Sequence, residues 1–331
     1  MPSCLWNPVI TSKGERDTSK KHPISAVTGS SGAGTTTLRH AFANVFRREG
    51  INAAFVEGDS FLRYNKNETQ EKIDASHQAG KPISHFGPEL NQFDQLEALF
   101  KQYGQKGTGK VRQLIHDEQE AARHGCAIGE FTPWKDIASG SDLLLYEGNH
   151  GGVVASSWAR RRTSPAHMPA KQERRGSDER KNGGVDAAQW VDLLIGVVPS
   201  VNLEWIQKIH RDCSQDGCTV EQVTSMILRR MSDYVYFIVP QFALTDINFQ
   251  RIPLVDTSNP FIARDIPSAD ESMVVIHFRD PKKFDFPMLM RRLDGSFMSR
   301  PNTMVVPGGK MEFAMEVVCG PRIHDMMENR R

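Results

Sequence analysis

Glycine and hydroxyl residues are concentrated in one nine-residue stretch between Gly29 and Thr37. A short apolar run precedes this stretch, and a pattern with helical spacing follows it. Glycines let the backbone wrap around a phosphate group, and the free amides at the start of a helix point towards the anion. This context predicts a loop that binds the phosphates of ATP, in which Thr36 supplies the hydroxyl that ligates Mg²⁺. The predicted ATP-binding residues are Gly29, Ser30, Ser31, Gly32, Ala33, Gly34, Thr35, Thr36 and Thr37.

The loop lacks the lysine that usually precedes the metal-binding hydroxyl, because Thr35 stands in its place. Either the loop is a glycine-rich turn without a ligand, or a cation comes from elsewhere in the chain. Lys208, Arg211 and Asp212 are three and four residues apart in a predicted helix, so they share one face. Phosphoryl transfer depends mostly on positioning and charge neutralisation, so this helix can supply the missing cation. A solvated basic face is the alternative interpretation.

Two carboxylates follow apolar segments that have the character of buried strands. Asp59 comes just after one such segment, and Glu147 ends another. In open α/β sheets, ligands bind at the carboxyl ends of the strands. We therefore predict that Asp59 accepts a proton from a substrate hydroxyl, and that Glu147 holds Mg²⁺ directly or through water. Acids also cap helices and end strands in ordinary turns, and these interpretations stay open for both residues.

The hydrophobic pattern predicts the elements that must position these side chains. Nearly continuous apolar runs indicate central strands that are covered on both faces. The predicted strands are Ile24–Thr28, Ala53–Val56, Leu143–Tyr146, Leu193–Val198, Tyr234–Val239, Ile252–Val255 and Met273–Phe278. The predicted helices are Thr35–Arg48, Asn91–Tyr103, Leu203–Arg211, Val220–Met231 and a last one from about Lys310. This order predicts the α/β class: a three-layer α/β/α P-loop NTPase-like domain with a mixed β-sheet and additional antiparallel strands toward the C-terminus.

The overall composition favours a water-soluble globular protein. The 331 residues include 39% hydrophobic and 24% charged residues, and the net charge is +1. No apolar run approaches the roughly 20 residues that a membrane-spanning helix needs, so we expect no membrane contact. The balanced charge does not indicate a nucleic-acid partner. Five scattered cysteines favour free thiols in a reducing cytoplasm over a disulfide framework or a zinc site.

Differences in composition along the chain predict its domain organisation. Residues 1–20 mix charged residues without a long apolar core, so we expect a disordered leader there. We expect residues 21–320 to form a single P-loop kinase domain, followed by a C-terminal tail at 321–331. The stretch 155–184 is rich in Arg, Lys, Ser, Gly and Pro. It cannot bury enough apolar surface to offset the entropy of ordering, so we predict a disordered basic insertion between two strands.

Several long strings are far more specific than the glycine loop. They are GSSGAGTTT, VEGDSF, YEGNHGG, IGVVPSVNLEWIQKIHRD, ILRRM, DINFQRIPLVDTSNPFIAR and NTMVVPGGK. Together they resemble the phosphoribulokinase family, in its bacterial form, from about Lys20 to Lys310. The resemblance implies transfer of the ATP γ-phosphate to the 1-hydroxyl of ribulose 5-phosphate, with Mg²⁺, to form ribulose 1,5-bisphosphate for carbon fixation. It also implies a homo-oligomer with NADH as an allosteric activator.

The resemblance also implies roles for individual residues. Asp59 is the expected catalytic base, Lys208 the cation on the ATP phosphates, and Arg211 a further catalytic residue that contacts the sugar phosphate. The residues that it implies for substrate binding are Arg63, Lys66 and Arg211. Those that it implies for metal binding are Thr36, Glu147 and Asp212.

Four positions depart from the family pattern. Leu62 stands in place of a histidine, Lys66 and His277 in place of arginines, and Asp216 near the place of another arginine. Lysine keeps the charge but loses the bidentate fork of arginine, and Leu62 removes a polar partner of the sugar phosphate. Two alternatives to an active phosphoribulokinase therefore stay open. One is a catalytically impaired regulatory subunit that binds nucleotide, and the other is a P-loop kinase for another small hydroxyl substrate, such as a nucleoside.

Overall fold

The computed structural model describes residues 21–29, 35–155, 184–215, 217–262 and 265–330. The predicted leader at 1–20, most of the predicted phosphate loop and nearly all of the predicted insertion lie outside these ranges. In the part of the chain that is described, no helix combines the length and apolarity needed to cross a bilayer.

The described chain contains twelve strands, of which eight form one central sheet. The strands are β1 (Ile24–Gly29), β2 (Ala53–Glu57), β3 (Lys110–Val111), β4 (Lys135–Asp136), β5 (Leu143–Gly148), β6 (Val154–Ala155), β7 (Val185–Asp186), β8 (Leu193–Pro199), β9 (Ile247–Pro253), β10 (Ser272–Phe278), β11 (Phe297–Arg300) and β12 (Thr303–Pro307). The order in the sheet is β11-β12-β10-β9-β8-β1-β5-β2. The five strands from β9 to β2 in this order are parallel, whereas β10, β12 and β11 pair antiparallel.

Helices connect these strands. They are α1 (Thr35–Glu49), α2 (Lys66–Gln78), α3 (Phe93–Lys106), α4 (Glu118–His124), α5 (Val201–Gln215), α6 (Val220–Asp233), α7 (Val239–Phe242), α8 (Phe286–Arg292) and α9 (Met311–Glu328). Short 3-10 turns lie at Gly58–Phe61, Ala187–Trp190, Pro281–Lys283 and Gly308–Lys310. Because α9 continues to Glu328, residues 321–328 of the predicted C-terminal tail are helical.

Helices cover both faces of the sheet and give the molecule three layers. On one face, α1 and α9 pack against the strands through buried residues such as Phe42 and Val318. On the other face, Phe100 of α3 and Phe237 pack against the same strands. Burying each apolar side chain of this size contributes roughly 1.5–3 kcal/mol. The predicted α/β class, with three layers, a mixed sheet and antiparallel strands toward the C-terminus, is confirmed.

The predicted strand at Tyr234–Val239 is wrong. The chain continues from α6 into a π-helical turn at Tyr234–Ile238, and α7 follows directly. Aromatic and β-branched residues favour strands on average. Here Tyr234, Phe237 and Ile238 are three and four residues apart, and they are buried on one helical face. Tertiary packing therefore overrides the local preference.

The predicted strand at Ile252–Val255 is displaced. β9 begins at Ile247 and ends at Pro253, and both Leu254 and Val255 are exposed after it. The apolar character of these two residues extended the prediction beyond the last residue that pairs in the sheet.

Two glycines allow the ends of β2 and β5 to approach closely. A Cβ atom built on Gly148 would lie 2.7 Å from the Cα of Gly58, and one built on Gly58 would lie 2.9 Å from the Cα of Gly148. A side chain at either position would therefore collide with main chain, which cannot move aside as a flexible side chain can. The contact places the turn after β2 directly against the end of β5.

We expect Gly148→Ala to lower the free energy of unfolding by about 1–3 kcal/mol, because the added methyl group overpacks the main chain. Urea denaturation measures the change. Gly104→Ala in α3 is the matched control, since its new Cβ would lie 3.8 Å from Cδ1 of Ile24, an ordinary contact. Alanine also favours a helix more than glycine does, so this variant should keep or raise stability. An equal loss in both variants would contradict the proposed contact.

Candidate active site

Four parallel strands end at the same edge of the sheet. Glu147 of β5 is in register with Val27 of β1 on one side and with Glu57 of β2 on the other. On the far side of β1, Gly29 is in register with Val197 of β8. The start of the predicted phosphate loop, the predicted metal ligand and the turn after β2 therefore open onto one edge.

Asp59 lies on the 3-10 turn that follows β2. Ser60 and Phe61 of this turn are buried, and the amide of Leu62 donates to the carbonyl of Asp59 at 3.1 Å. The Asp59 side chain itself is 49% exposed. The backbone of the predicted base is thus fixed while its carboxylate stays open to a ligand.

His116 contacts this carboxylate, and the sequence analysis did not identify it. Nε2 of His116 lies 3.4 Å from Oδ2 of Asp59. The hydrogen bond that His116 donates to Asp59 raises the pKa of His116, and burial partly opposes that rise. His116 precedes α4 in an irregular segment. In the sequence, only its titratable side chain could have distinguished it as a candidate.

Helix α5 carries the predicted cations and begins just after β8. The buried carboxylate of Asp212 accepts hydrogen bonds from Nζ of Lys208 and, at 3.1 Å, from Nε of Arg211. Burial lowers the pKa of Lys208, and the hydrogen bond to Asp212 opposes that fall. The prediction that these three residues share one helical face is confirmed.

A third cation, Arg230 of α6, lies beside this group. Burial lowers the pKa of Arg230 to about 10, and the negative charge of Asp212 opposes the fall. Lys208 and Arg230 line the same small cavity. The neighbouring Arg229 is exposed and donates to Ser225 instead. These two adjacent arginines therefore have different surroundings.

His85 connects the turn of Asp59 with the cations. The pKa of His85 is lowered to about 4, mainly by burial and also by the positive charges of Arg230 and Lys208, while the negative charge of Asp59 opposes the fall. The ring of His85 is thus within electrostatic reach of both Lys208 and Asp59. His85 is a second residue that the sequence analysis did not identify.

The side chain of Gln241 holds the loop that follows β5. Its buried side-chain oxygen accepts hydrogen bonds from Oγ1 of Thr28 and from the amide of Gly152, both at 2.9 Å. Its amide group donates to the carbonyl of Asn149 at 2.9 Å. One side chain therefore ties β1 and this loop to α7, and the loop begins two residues after Glu147.

The structure describes the predicted ATP-binding residues only in part. Gly29 ends β1, and the residues 35–37 open α1, so the loop lies between a strand and a helix as predicted. The residues 30–34 lie outside the described ranges.

The predicted sugar-phosphate residues lie near the turn of Asp59 in sequence, on exposed positions. Arg63 donates to the carbonyl of Asn91 at 3.3 Å. Lys66 is the first residue of α2, which Asn65 caps. Their contacts with a substrate stay predictions.

Of the other two departures from the family pattern, the structure describes His277. His277 is exposed on β10 and lies 3.0 Å from the side-chain amide of Asn302. It pairs with Asn248 of β9, and three strands, β9, β8 and β1, separate β10 from the β5 strand that carries Glu147. Asp216 lies outside the described ranges.

Known proteins resemble this chain over most of its length. Phosphoribulokinase 1 of Cereibacter sphaeroides is 51% identical over 92% of this chain and 96% of its own. The chromosomal phosphoribulokinase of Cupriavidus necator is 49% identical over 95% of this chain and 98% of its own. The solved phosphoribulokinase from Rhodobacter spheroides superimposes with a TM-score of 0.79 at 47% identity, and covers 94% of this chain and 99% of its own.

A family model settles the assignment, since the one described as the phosphoribulokinase / uridine kinase family matches residues 24–161 and 177–258. The chain belongs to this family. It is therefore a kinase that uses ATP and Mg²⁺, with a P-loop kinase fold.

Glu147 is the described residue of this kinase that best fits Mg²⁺. It ends a central strand at the edge where the phosphate loop begins. Kinase sites bind Mg²⁺ through one or two carboxylates together with substrate phosphates, so few protein ligands are needed. Accordingly, no group of three or more His, Cys, Asp or Glu side chains in the described residues could hold a metal ion. Asp212, the other carboxylate predicted as a ligand, is engaged by Lys208 and Arg211.

The His116–Asp59 pair predicts a change in titration. Its hydrogen bond raises the pKa of His116, so the pair stabilises the fold below the ordinary histidine pKa and this contribution is lost as pH rises through the raised value. We expect Asp59→Asn to lower the pKa of His116, measured by NMR titration of the imidazole. His324, whose pKa is raised by Glu49 on the far side of α1, is the internal control. An unchanged pKa of His116 in the variant would exclude the pairing.

Proposed function

We propose that this kinase transfers the γ-phosphate of ATP to the 1-hydroxyl of D-ribulose 5-phosphate, and so forms ribulose 1,5-bisphosphate for the Calvin cycle. The observation that carries the proposal is that the strands leading to Asp59, Glu147 and the Lys208 helix all end at the sheet edge where the glycine loop begins. The relatives that are about half identical to the chain over most of its length, all named phosphoribulokinase, support the choice of substrate.

In this proposal, Asp59 accepts the proton of the sugar 1-hydroxyl as that oxygen attacks phosphorus. The turn that carries Asp59 has a fixed backbone and an open carboxylate, as a general base requires. His116 orients the carboxylate before substrate binds.

The remaining charges neutralise phosphate. Lys208, and with it Arg211, supplies the cation that Thr35 cannot provide in the loop. Arg63 and Lys66 bind the 5-phosphate of the sugar from the other side of Asp59. Glu147 and Thr36 would hold Mg²⁺, which would offset the negative charge that develops on the transferred phosphate. Asp212 acts mainly by holding the two cations in place.

The regulatory-subunit alternative rests on specific departures in the chain. Leu62 places an apolar side chain next to the turn that carries Asp59, and Asp216 adds a negative charge in the sequence after Lys208 and Arg211. The nucleoside alternative rests only on the breadth of the family description. All three possibilities share the ATP site; the regulatory subunit differs from the proposal in turnover, and the nucleoside kinase differs in its acceptor.

One assay separates these possibilities. Purified protein is mixed with Mg-ATP and either ribulose 5-phosphate, uridine or no acceptor, and ADP release is followed. ADP release that requires ribulose 5-phosphate supports the proposal. Nucleotide binding without turnover would support the regulatory subunit, and turnover with uridine alone would support a nucleoside kinase.

Three further properties are proposed from the family resemblance. They are a homo-oligomeric assembly, activation by NADH and a cytoplasmic location. His277 is exposed on β10 and stands where the family usually has an arginine. Among the three properties, activation by NADH is the one that we expect this substitution to alter. Comparing turnover with and without NADH tests it directly.

We expect Asp59→Asn to lower kcat by at least about 100-fold, because a general base contributes on the order of 10²–10⁴ in rate. ATP affinity should stay within about twofold, since the amide is isosteric and Asp59 does not contact ATP in the proposal; isothermal titration calorimetry measures it. Asp136→Asn, at an exposed carboxylate of β4, is the control and should keep full turnover. Full activity in Asp59→Asn would remove this residue as the base.

We expect Leu62→His to lower the KM for ribulose 5-phosphate. Leu62 is the residue next to the turn that carries Asp59 and offers the sugar phosphate no hydrogen bond, whereas histidine adds a donor there. Steady-state kinetics with saturating ATP measure the change. Leu62→Phe, which adds a ring without nitrogen atoms, should give no such decrease. An unchanged or raised KM for Leu62→His would mean that another residue already compensates for the missing histidine.

A further inference from the structure

Arg112, which has no role in the site described above, contacts the base turn, that is, residues 58–62 around Asp59. Its Nε donates to the carbonyl of Ser60 at 3.1 Å, and its Nη2 donates to the carbonyl of Leu62 at 2.5 Å. In return, Oγ of Ser60 donates to the carbonyl of Arg112 at 2.5 Å. Three hydrogen bonds thus hold the main chain that immediately follows Asp59.

Two aromatic rings fix the guanidinium group itself. Its central carbon lies 3.6 Å from the ring centroid of Phe131 and 4.8 Å from that of Trp134. Burial lowers the pKa of Arg112, but a guanidinium group stays charged in proteins. Its planar fork and its stacking on rings are properties that lysine does not share.

No carboxylate in the described residues lies within ion-pair distance of Arg112, although Glu57 and Glu120 line the same cleft. A cation that served only to balance charge would be expected to pair with one of them. The donors of Arg112 are used instead on two main-chain carbonyls of the base turn.

The segment that begins at Arg112 also leads to His116. This segment is anchored along its length, because the amide of Ile115 donates to the carbonyl of Glu130 and the amide of His116 donates to Oε2 of Glu120, both at 2.9 Å. Residues four apart in one anchored segment therefore hold Asp59 twice, through the main chain of its turn and through its carboxylate.

We propose that Arg112 is a positioning residue for the catalytic base: its fork on the carbonyls of Ser60 and Leu62 sets the turn so that the carboxylate of Asp59 faces both His116 and the substrate hydroxyl. This inference rests on the proposed role of Asp59 and adds a residue that does not touch substrate. Displacement of a reacting group by about 1 Å can cost on the order of 100-fold in rate, so the fork matters for turnover more than for binding.

The first test is independent of catalysis. In Arg112→Lys, which keeps the charge but loses the fork, we expect the pKa of His116 to fall toward its ordinary value, because Asp59 moves away from the imidazole. NMR titration of the free protein measures it. The His324 ring again serves as the internal control, and Arg123→Gln, which removes an exposed cation of the same cleft, should leave the pKa of His116 unchanged. The titration therefore tests the positioning of Asp59 even if the chain has no ribulose 5-phosphate kinase activity.

The second test is kinetic. We expect Arg112→Lys to lower kcat at least about tenfold while the KM for ATP stays within about twofold, because the defect lies in the placement of the base. Arg123→Gln should keep kcat. A merely structural role for Arg112 predicts a different pattern: a lower melting temperature, with kcat per folded molecule and the pKa of His116 both unchanged. That pattern would overturn the proposal.

Ser60→Ala keeps the test open if Arg112→Lys does not fold. This variant removes the hydrogen bond to the carbonyl of Arg112 but leaves the fork in place. We expect a smaller fall in kcat and a smaller fall in the pKa of His116, both in the same direction as in Arg112→Lys. If neither kcat nor the pKa of His116 changes in Ser60→Ala, the proposed positioning of the base turn is contradicted.

Discussion

A single buried carboxylate organises the positive charge of the active site. Asp212 accepts hydrogen bonds from Lys208 and Arg211, and its charge also opposes the loss of a proton from the buried Arg230. Removing several cations from water is costly unless an anion compensates for them. Because Asp212 provides this compensation, a lysine and an arginine can share one partly buried face of α5. The predicted phosphate loop itself has Thr35 in place of the usual lysine.

The parallel half of the sheet brings the other predicted site residues to one edge. Parallel strands end at a common edge, so residues after β1, β2, β5 and β8 meet there although they are far apart in the chain. The contact between Gly58 and Gly148 brings two of these ends together at main-chain distance. The antiparallel strands β10, β11 and β12 contribute core packing and carry none of the predicted catalytic residues. The predicted site residues are thus concentrated at one end of the parallel half of the sheet.

Two helical features show how packing supports this edge. The π-helical turn after α6 buries Phe237 against the face of the sheet that α3 also covers. It leads into α7, whose Gln241 bonds to Thr28, Asn149 and Gly152. The same residues in a strand could not place Gln241 behind the loop after β5. A segment with strand-like composition is therefore helical because its position in the fold, rather than its local preference, determines the lower free energy.

Reading the residues in order was enough to infer the α/β class, the phosphate loop, Asp59, Glu147 and the face shared by Lys208, Arg211 and Asp212. These features depend on local patterns: apolar runs, glycine spacing and helical periodicity each act over a few neighbouring residues. His85, His116, Arg112 and Gln241 were not found in this way, because each acts through a contact with a segment far away in the chain, and no periodicity marks such a contact. Their partners became identifiable once the chain was folded, since it is the packing of the sheet and its connections that brings distant main-chain carbonyls and carboxylates within hydrogen-bonding distance.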